Sequence, residues 1–328
     1  MTTPRKIAVL GGGAWGSALA SALTVQGHHV GVLVRQAEMA DQLMAGWSPM
    51  INQPVSAPAL VSTDPAPVFE GVDAALVVLP VAATEMAAET LTSHLLADIP
   101  VAWAAKGLLP GSNALIPEFT ARALPHPSVM LSGPSFADEV AQGKPAALVS
   151  ASGHADAAGL FSFLFENSSI RVYTSDDPVG VAVGGAVKNV IAIASGIITG
   201  LDFGDNARAA VITRGLAEAA RFALKLGGKR ETLFGLAGLG DMMLTCAGPH
   251  SRNFAYGLAI GKGTDLPDKL AEGARSAPVI LNRAKTEGIE MPITEAVVKV
   301  LDGADITAEI RRLLSRPVDS EWASADIE

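Results

Sequence analysis

The chain has one cysteine, Cys246, so an intrachain disulfide is excluded and a reducing compartment, the cytoplasm, is the expected location. Aromatic residues make up only 5% of the chain, too few for a surface that stacks nucleic-acid bases. Charged residues are sparse at 17%, and the balance is acidic, with a net charge of −9. That sign disfavours non-specific binding to nucleic acid or to anionic membrane. The six histidines are scattered, and no cluster has the spacing of metal ligands. Met1 to Leu10 lacks the apolar core and small-residue cleavage site of a secretory signal. The run from Val179 to Leu201 comes nearest to a membrane span, but Lys188 and Asn189 interrupt its centre. A charge there is expensive in lipid, so the run is expected to be a buried helix of a soluble protein, with no integral membrane segment.

What is present is a chain of 328 residues, 49% of them hydrophobic, enough for two domains with sizeable cores. Up to about Ser175, short apolar runs alternate with longer helical stretches. The runs are Ile7–Leu10, Val30–Val34, Ala75–Leu79, Val101–Ala105, Val129–Leu131, Ala146–Val149 and Ile170–Tyr173. This alternation predicts a mostly parallel sheet with helices on both faces. From about Pro178 the apolar residues fall at helical spacing and β-branched runs become scarce. Asp205 or Asn206 is expected to cap a helix through Arg208–Leu226 that stops at Gly227-Gly228, and Asp305 to cap another. The expected fold is α/β: a Rossmann-type doubly wound sheet over residues 1–177, then an all-helical domain over 178–328 that carries substrate and catalytic groups.

In such sheets ligands bind beyond the carboxyl ends of the strands. After the first run comes Gly11-Gly12-Gly13-Ala14-Trp15-Gly16, a Gly-x-Gly-x-x-Gly turn between strand and helix. Gly11 allows the tight turn, Gly13 admits a pyrophosphate close to the backbone, and Gly16 lets the helix pack closely. The helix N-terminus adds unpaired N–H groups and a partial positive charge. The context points to a dinucleotide site. Where an NAD-selective site usually has an acid, the second run ends at Arg35, so NADP is expected to be accepted as well as NAD. A solvated surface arginine is the alternative.

Two lysines stand out. Lys106 follows a buried-looking strand, where it would stabilise negative charge on a substrate oxygen, although an exposed loop lysine would read the same way. Lys188 sits among apolar residues and beside a stripe of Gly184, Gly185, Ala192, Ser195 and Gly196 that admits a second backbone or a ligand. Desolvation would suit it to exchanging a proton near neutral pH; the alternative is a lysine that snorkels to the surface. Gly133-Pro134-Ser135-Phe136-Ala137 follows a strand and opens a helix, offering N–H groups to an anion. Gly235 to Asn253 brings together Asp241, Thr245, Ser251, Arg252 and Asn253; Arg252 is suited to a phosphate, and Asp241 to orienting Lys188 or binding a hydroxyl.

These segments together resemble the NAD(P)-dependent glycerol-3-phosphate dehydrogenase family in its bacterial-type form. The resemblance rests on GGGAWGSALA at 11–20, KGL at 106–108, SGPSFADEVAQGKPAA at 132–147, VAVGGAVKNVIAIASGIITGLDFGDNARAA at 181–210, GLAGLGDMMLTC at 235–246 and SRNFAYG at 251–257. It implies reversible reduction of dihydroxyacetone phosphate to sn-glycerol 3-phosphate, with NADH or NADPH as hydride donor, feeding glycerophospholipid synthesis, and it suggests a homodimer. By motif position it implies that Lys188 exchanges the proton and that Lys106 touches substrate and cofactor, with Asp241 and Thr245 near the reacting centre. It places Gly133, Ser135, Lys188, Asn189, Asp241, Ser251, Arg252 and Asn253 around the substrate. It places Gly11, Gly13, Trp15, Gly16, Arg35, Lys106, Ala137, Arg252, Leu270 and Glu272 on the cofactor. Two departures are visible: Ala105 stands where the family often has serine or threonine, and Glu272-Gly273 is followed by Ala274-Arg275-Ser276 rather than Val-x-Thr. Ketopantoate-type and other hydroxyacid reductases join similar domains, but their characteristic motifs are not found here.

Overall fold

A computed structural model describes residues 3–267 and 271–316. It divides after Ala182 into two compact units. The first is built on a single sheet. Its elements are β1 (Lys6–Leu10), α1 (Ala14–Val25), β2 (His29–Leu33), α2 (Ala37–Met44), β3 (Trp47–Ser48), β4 (Gln53–Pro54), β5 (Leu60–Ser62), α3 (Pro65–Phe69), β6 (Ala74–Val77), α4 (Thr84–His94), β7 (Val101–Trp103), α5 (Ile116–Ala123), β8 (Ser128–Ser132), α6 (Ala137–Ala141), β9 (Ala146–Ala151), α7 (Ala155–Leu164) and β10 (Ile170–Ser175).

All seven apolar runs form strands, and the sheet order is β10-β9-β8-β7-β6-β1-β2-β5. Every neighbouring pair is parallel except β8 with β9. Central strands such as β6, Ala74–Val77, are buried at every position because helices cover both faces. The core between sheet and helices is filled by Ile7, Leu19, Leu23, Val32, Leu76 and Phe161, among others. Because β1, β2, β7 and β8 run parallel, Gly11, Arg35, Lys106 and Gly133 all follow strands at one end of the sheet. The sequence does not reveal β5 or the two-residue hairpin strands β3 and β4.

The helix α8 (Pro178–Gly200) is long and apolar enough to cross a membrane, but it is buried within the fold. The remaining elements are α9 (Gly204–Lys225), α10 (Arg230–Phe234), a π-helical turn Leu236–Gly240, α11 (Asp241–Cys246), α12 (Arg252–Lys262), α13 (Glu272–Thr286), α14 (Pro292–Leu301) and α15 (Ile306–Leu314). No strand follows β10 among the described residues. Asp305 caps α15 by accepting the Ala308 N–H at 2.7 Å. The expected cap of α9 is different: Phe203 is the N-cap, and Asp205 lies inside the first turn, paired with Arg208 at 2.9 Å. Asp202, with φ of 57°, and Gly204, the first residue of the helix with φ of 81°, reverse the chain at the helix start and so begin it earlier.

In the second unit α8 is surrounded by close backbone approaches. Gly196 and Gly200 of α8 face Gly257 and Gly261 of α12, so the two helices touch main chain to main chain. A Cβ at Gly257 would lie 2.0 Å from the Ile193 carbonyl oxygen, and one at Gly261 would lie 2.4 Å from that of Ile197. Gly215 of α9 receives the Ile191 side chain, and Gly184 receives the Ala237 carbonyl of the π-helical turn. The small-residue stripe read from the sequence is therefore mostly a seam for neighbouring backbone.

Glu218, buried in α9, supplies the cap that α14 lacks locally. Its carboxylate accepts the N–H groups of Ile293 at 2.5 Å and Thr294 at 3.2 Å, and the Thr294 hydroxyl at 3.1 Å. Burial pushes its carboxyl up to about 7, against the pull of those donors. A carboxyl raised in the folded state from its ordinary 4.5 leaves the fold most stable below that value and costs stability as pH rises toward about 7. In urea unfolding, the wild type is expected to lose up to about 3 kcal/mol from this group between pH 4.5 and 7.5. Glu218→Gln should remove most of that slope; an unchanged slope would contradict the assignment.

Candidate active site

In the first unit the glycine-rich turn has a distinct task for each glycine. Gly11 adopts φ of 113°, a conformation favourable only to glycine, and its N–H donates to the Leu33 carbonyl at 2.9 Å. A Cβ at Gly16 would fall 1.8 Å from the Gly11 carbonyl oxygen, so this glycine fits the helix onto the turn itself. Gly13 has nothing within 4 Å of a would-be Cβ. It is the N-cap of α1 and gives the helix no side-chain acceptor. The first-turn N–H groups, with half-buried Trp15 among them, therefore face the open space above Gly13. An open cradle over an uncapped helix N-terminus fits a dinucleotide pyrophosphate. Arg35 is exposed just beyond β2, with no ion-pair partner among the described residues.

Lys106 is half-buried beyond β7, and Gly107, which follows it, has φ of 132°. Gly133 follows β8 with φ of 155°, and its Cα packs against the Ala147 carbonyl, where a Cβ would be 2.5 Å away. Ser135 donates its hydroxyl to the Gly133 carbonyl at 3.0 Å. Ala137 opens α6 as expected, but the first turn holds Asp138 and Glu139, an unfavourable setting for an anion.

In the second unit Lys188 is 6% exposed, and its ammonium meets Asp241 Oδ1 at 2.5 Å and Thr245 Oγ1 at 2.9 Å. Asp241 and Thr245 are themselves buried, one turn apart at the start and end of α11, and the Thr245 hydroxyl donates to the Asp241 carbonyl at 2.6 Å. The π-helical turn just before α11 brings Asp241 to this position, and Gly184, one turn before Lys188, gives that turn room to approach. π-Helical turns concentrate at functional sites because they re-aim side chains. Burial pushes the neighbouring Cys246 thiol up to about 12 although the Lys188 ammonium opposes the shift, so this cysteine is no nucleophile.

Ser251 caps α12 by accepting the Phe254 N–H at 3.3 Å, which leaves Arg252 exposed on the first turn. Arg252 has no ion-pair partner among the described residues. Asn253 is buried, and both ends of its amide are engaged: Nδ2 donates to Asn189 Oδ1 at 2.9 Å, and Oδ1 accepts the Gly273 N–H at 2.8 Å. Glu272 is the half-buried first residue of α13. Leu270 lies outside the described residues. Gly273, named in the sequence only as the neighbour of Glu272, supplies through its N–H the third member of this amide set; no local spacing ties it to Asn253, 20 positions away.

Each unit also has its counterpart among known families. The family model described as NAD-dependent glycerol-3-phosphate dehydrogenase N-terminus matches residues 6–158, and the one described as its C-terminus matches residues 177–311. Proteins named glycerol-3-phosphate dehydrogenase [NAD(P)+] from a Bradyrhizobium species and from Methylobacterium radiotolerans are each 42% identical to this chain. The alignments cover 96% of this chain and 98% of the first, and 98% and 99% for the second. The crystal structure of glycerol-3-phosphate dehydrogenase from Coxiella burnetii is 37% identical, with a TM-score of 0.88 over 95% of this chain and 99% of that one. A ketopantoate reductase from Ralstonia eutropha, 16% identical with a TM-score of 0.60, shares the fold alone. With both halves matched and relatives aligned along nearly the whole chain, the protein belongs to the NAD-dependent glycerol-3-phosphate dehydrogenase family.

Proposed function

We propose that this chain catalyses the reversible reduction of dihydroxyacetone phosphate to sn-glycerol 3-phosphate with NADH or NADPH, supplying glycerophospholipid synthesis from the cytoplasm as a homodimer. The observation that carries the reading is the buried Lys188 ammonium held by Asp241 and Thr245. A buried ion pair is costly to build for stability alone, which makes a chemical role the better account of this one.

The nicotinamide cofactor, when bound through the turn at Gly11–Gly16, supplies the hydride. As the ketone carbon gains it, the ketone oxygen becomes alkoxide-like. Lys188 offsets that charge and passes a proton from Nζ to the oxygen, and its neutral amine then regains a proton from solvent. In the oxidative direction the amine takes the proton from the alcohol. Asp241 favours the ammonium form and, with the Thr245 hydroxyl, fixes its direction. Lys106 adds a second cation toward substrate and cofactor, Gly133 and Ser135 border the substrate, and Asn189, Ser251 and Arg252 serve its phosphate-bearing end. Trp15, Arg35, Ala137, Leu270, Arg252 and Glu272 are proposed cofactor contacts.

Steady-state oxidation of NADH and of NADPH with dihydroxyacetone phosphate tests the reading. Turnover with either is expected, and turnover with neither would refute it. The same assay tests Arg35. Losing a charge-assisted contact to the 2′-phosphate should raise the KM for NADPH about tenfold in Arg35→Ser while the KM for NADH stays within about twofold. Equal shifts for both cofactors would remove Arg35 from the 2′-phosphate.

A further inference from the structure

The first turn of a helix leaves N–H groups that a capping side chain normally accepts. At α13 the N-cap is Ala271, which has no acceptor. The Gly273 N–H, second in the helix, is met instead by Asn253 Oδ1 from α12 at 2.8 Å. Gly273 is also pressed against α8, where a Cβ would lie 2.5 Å from the Asn189 carbonyl oxygen and 3.0 Å from Asn253 Oδ1. Three helices thus meet at one buried amide.

This contact fixes which way the amides face. An N–H donor requires an oxygen, so the Asn253 oxygen is committed to Gly273 and its Nδ2 is turned toward Asn189. That nitrogen in turn requires an acceptor, and Asn189 presents Oδ1 at 2.9 Å. The group left over is Asn189 Nδ2, on the residue next to Lys188. It makes no hydrogen bond among the described residues, and it is not sealed from solvent, as the ring nitrogens of the buried His126 are.

We infer that Asn253 is a positioning residue: through its amide, the Gly273 N–H sets Asn189 to offer an N–H donor, rather than a carbonyl, to the substrate. A donor suits the oxygens of a phosphorylated ketone, whereas an outward carbonyl would repel them. The inference rests on the proposed reduction for the identity of that substrate, but the relay itself is a property of the three amides.

Two variants separate its parts. Asn253→Ala removes both bonds. Asn253→Asp still accepts the Gly273 N–H but also needs a donor from Asn189, so it turns the Asn189 carbonyl outward. Amide hydrogen exchange at Gly273, with kcat and KM for dihydroxyacetone phosphate, reads the two effects. In Asn253→Ala, Gly273 exchange should quicken at least about tenfold. KM should rise about tenfold while kcat falls less than about threefold. In Asn253→Asp the exchange should stay within about threefold of wild type while KM rises at least as far. Unchanged exchange in Asn253→Ala overturns the relay whether or not the enzyme turns over this ketone. An unchanged KM in Asn253→Asp overturns the orientation of Asn189. Absence of wild-type turnover would instead refute the proposed reaction, with the exchange data still deciding the relay.

Discussion

Replacing Lys188 with alanine is expected to lower kcat for dihydroxyacetone phosphate about a thousandfold and leave NADPH affinity within about threefold. The ammonium lies against Asp241 and Thr245 and is the only cation the structure places in that buried trio. Without it the developing alkoxide has neither a nearby proton nor a charge to offset it. The dinucleotide turn belongs to the first unit and shares no residue with this trio. Alanine also breaks the ion pair with Asp241, which is 1% exposed, and removing one partner of a buried pair costs about 3–5 kcal/mol of stability. Lys188→Arg removes that ambiguity: it keeps the cation beside Asp241, but a guanidinium is a poor proton donor at neutral pH. A loss of about a hundredfold or more in Lys188→Arg, with binding of NADPH retained in a fluorescence titration, supports proton exchange. Near-normal turnover in either variant would contradict it.

Gly257→Ala should destabilise the second unit by about 3 kcal/mol or more. The added methyl would sit 2.0 Å from the Ile193 carbonyl oxygen and 2.8 Å from its carbon. Both are helix backbone, and α8 cannot yield there without shifting Gly196 and Gly200 as well. Gly159 in α7 is the control, because nothing lies within 4 Å of its would-be Cβ. Alanine at that helix interior should be neutral or stabilising by up to about 1 kcal/mol. Urea unfolding of both variants measures the contrast, and equal midpoints would show that the α8–α12 seam tolerates separation.

Sequence and structure agree where the physical signal is local. The central strands β1, β6 and β7 are continuous apolar runs because strands inside a parallel sheet are covered on both faces, so they are readable one at a time, whereas the run at edge strand β10 is broken by Arg171 and largely exposed. Lys188 was visible for a related reason: a charge inside the apolar repeat of a long helix is conspicuous. The strands β3 and β4 have two residues each, too few for a period to register. The α9 start was misread because Asp205 carries a capping side chain, while the chain reversal at Asp202 and Gly204 had already begun the helix. The contacts least legible in sequence are the long-range ones. Asn253 reaches Asn189 across 64 positions, and Glu218 reaches α14 across about 75. Neither leaves a local spacing to find. The stripe of glycines on α8 announced a close approach without naming its partner, because the partner glycines lie on another helix.

The central claim is that the Lys188 site reduces a phosphorylated ketone with a nicotinamide cofactor. Initial rates of NADPH and NADH oxidation, measured with dihydroxyacetone phosphate and with 2-ketopantoate on the same preparation, test it most directly. The account predicts turnover of dihydroxyacetone phosphate, with stoichiometric formation of sn-glycerol 3-phosphate, at a kcat/KM at least about a hundredfold above that for 2-ketopantoate. Turnover of 2-ketopantoate alone would contradict it.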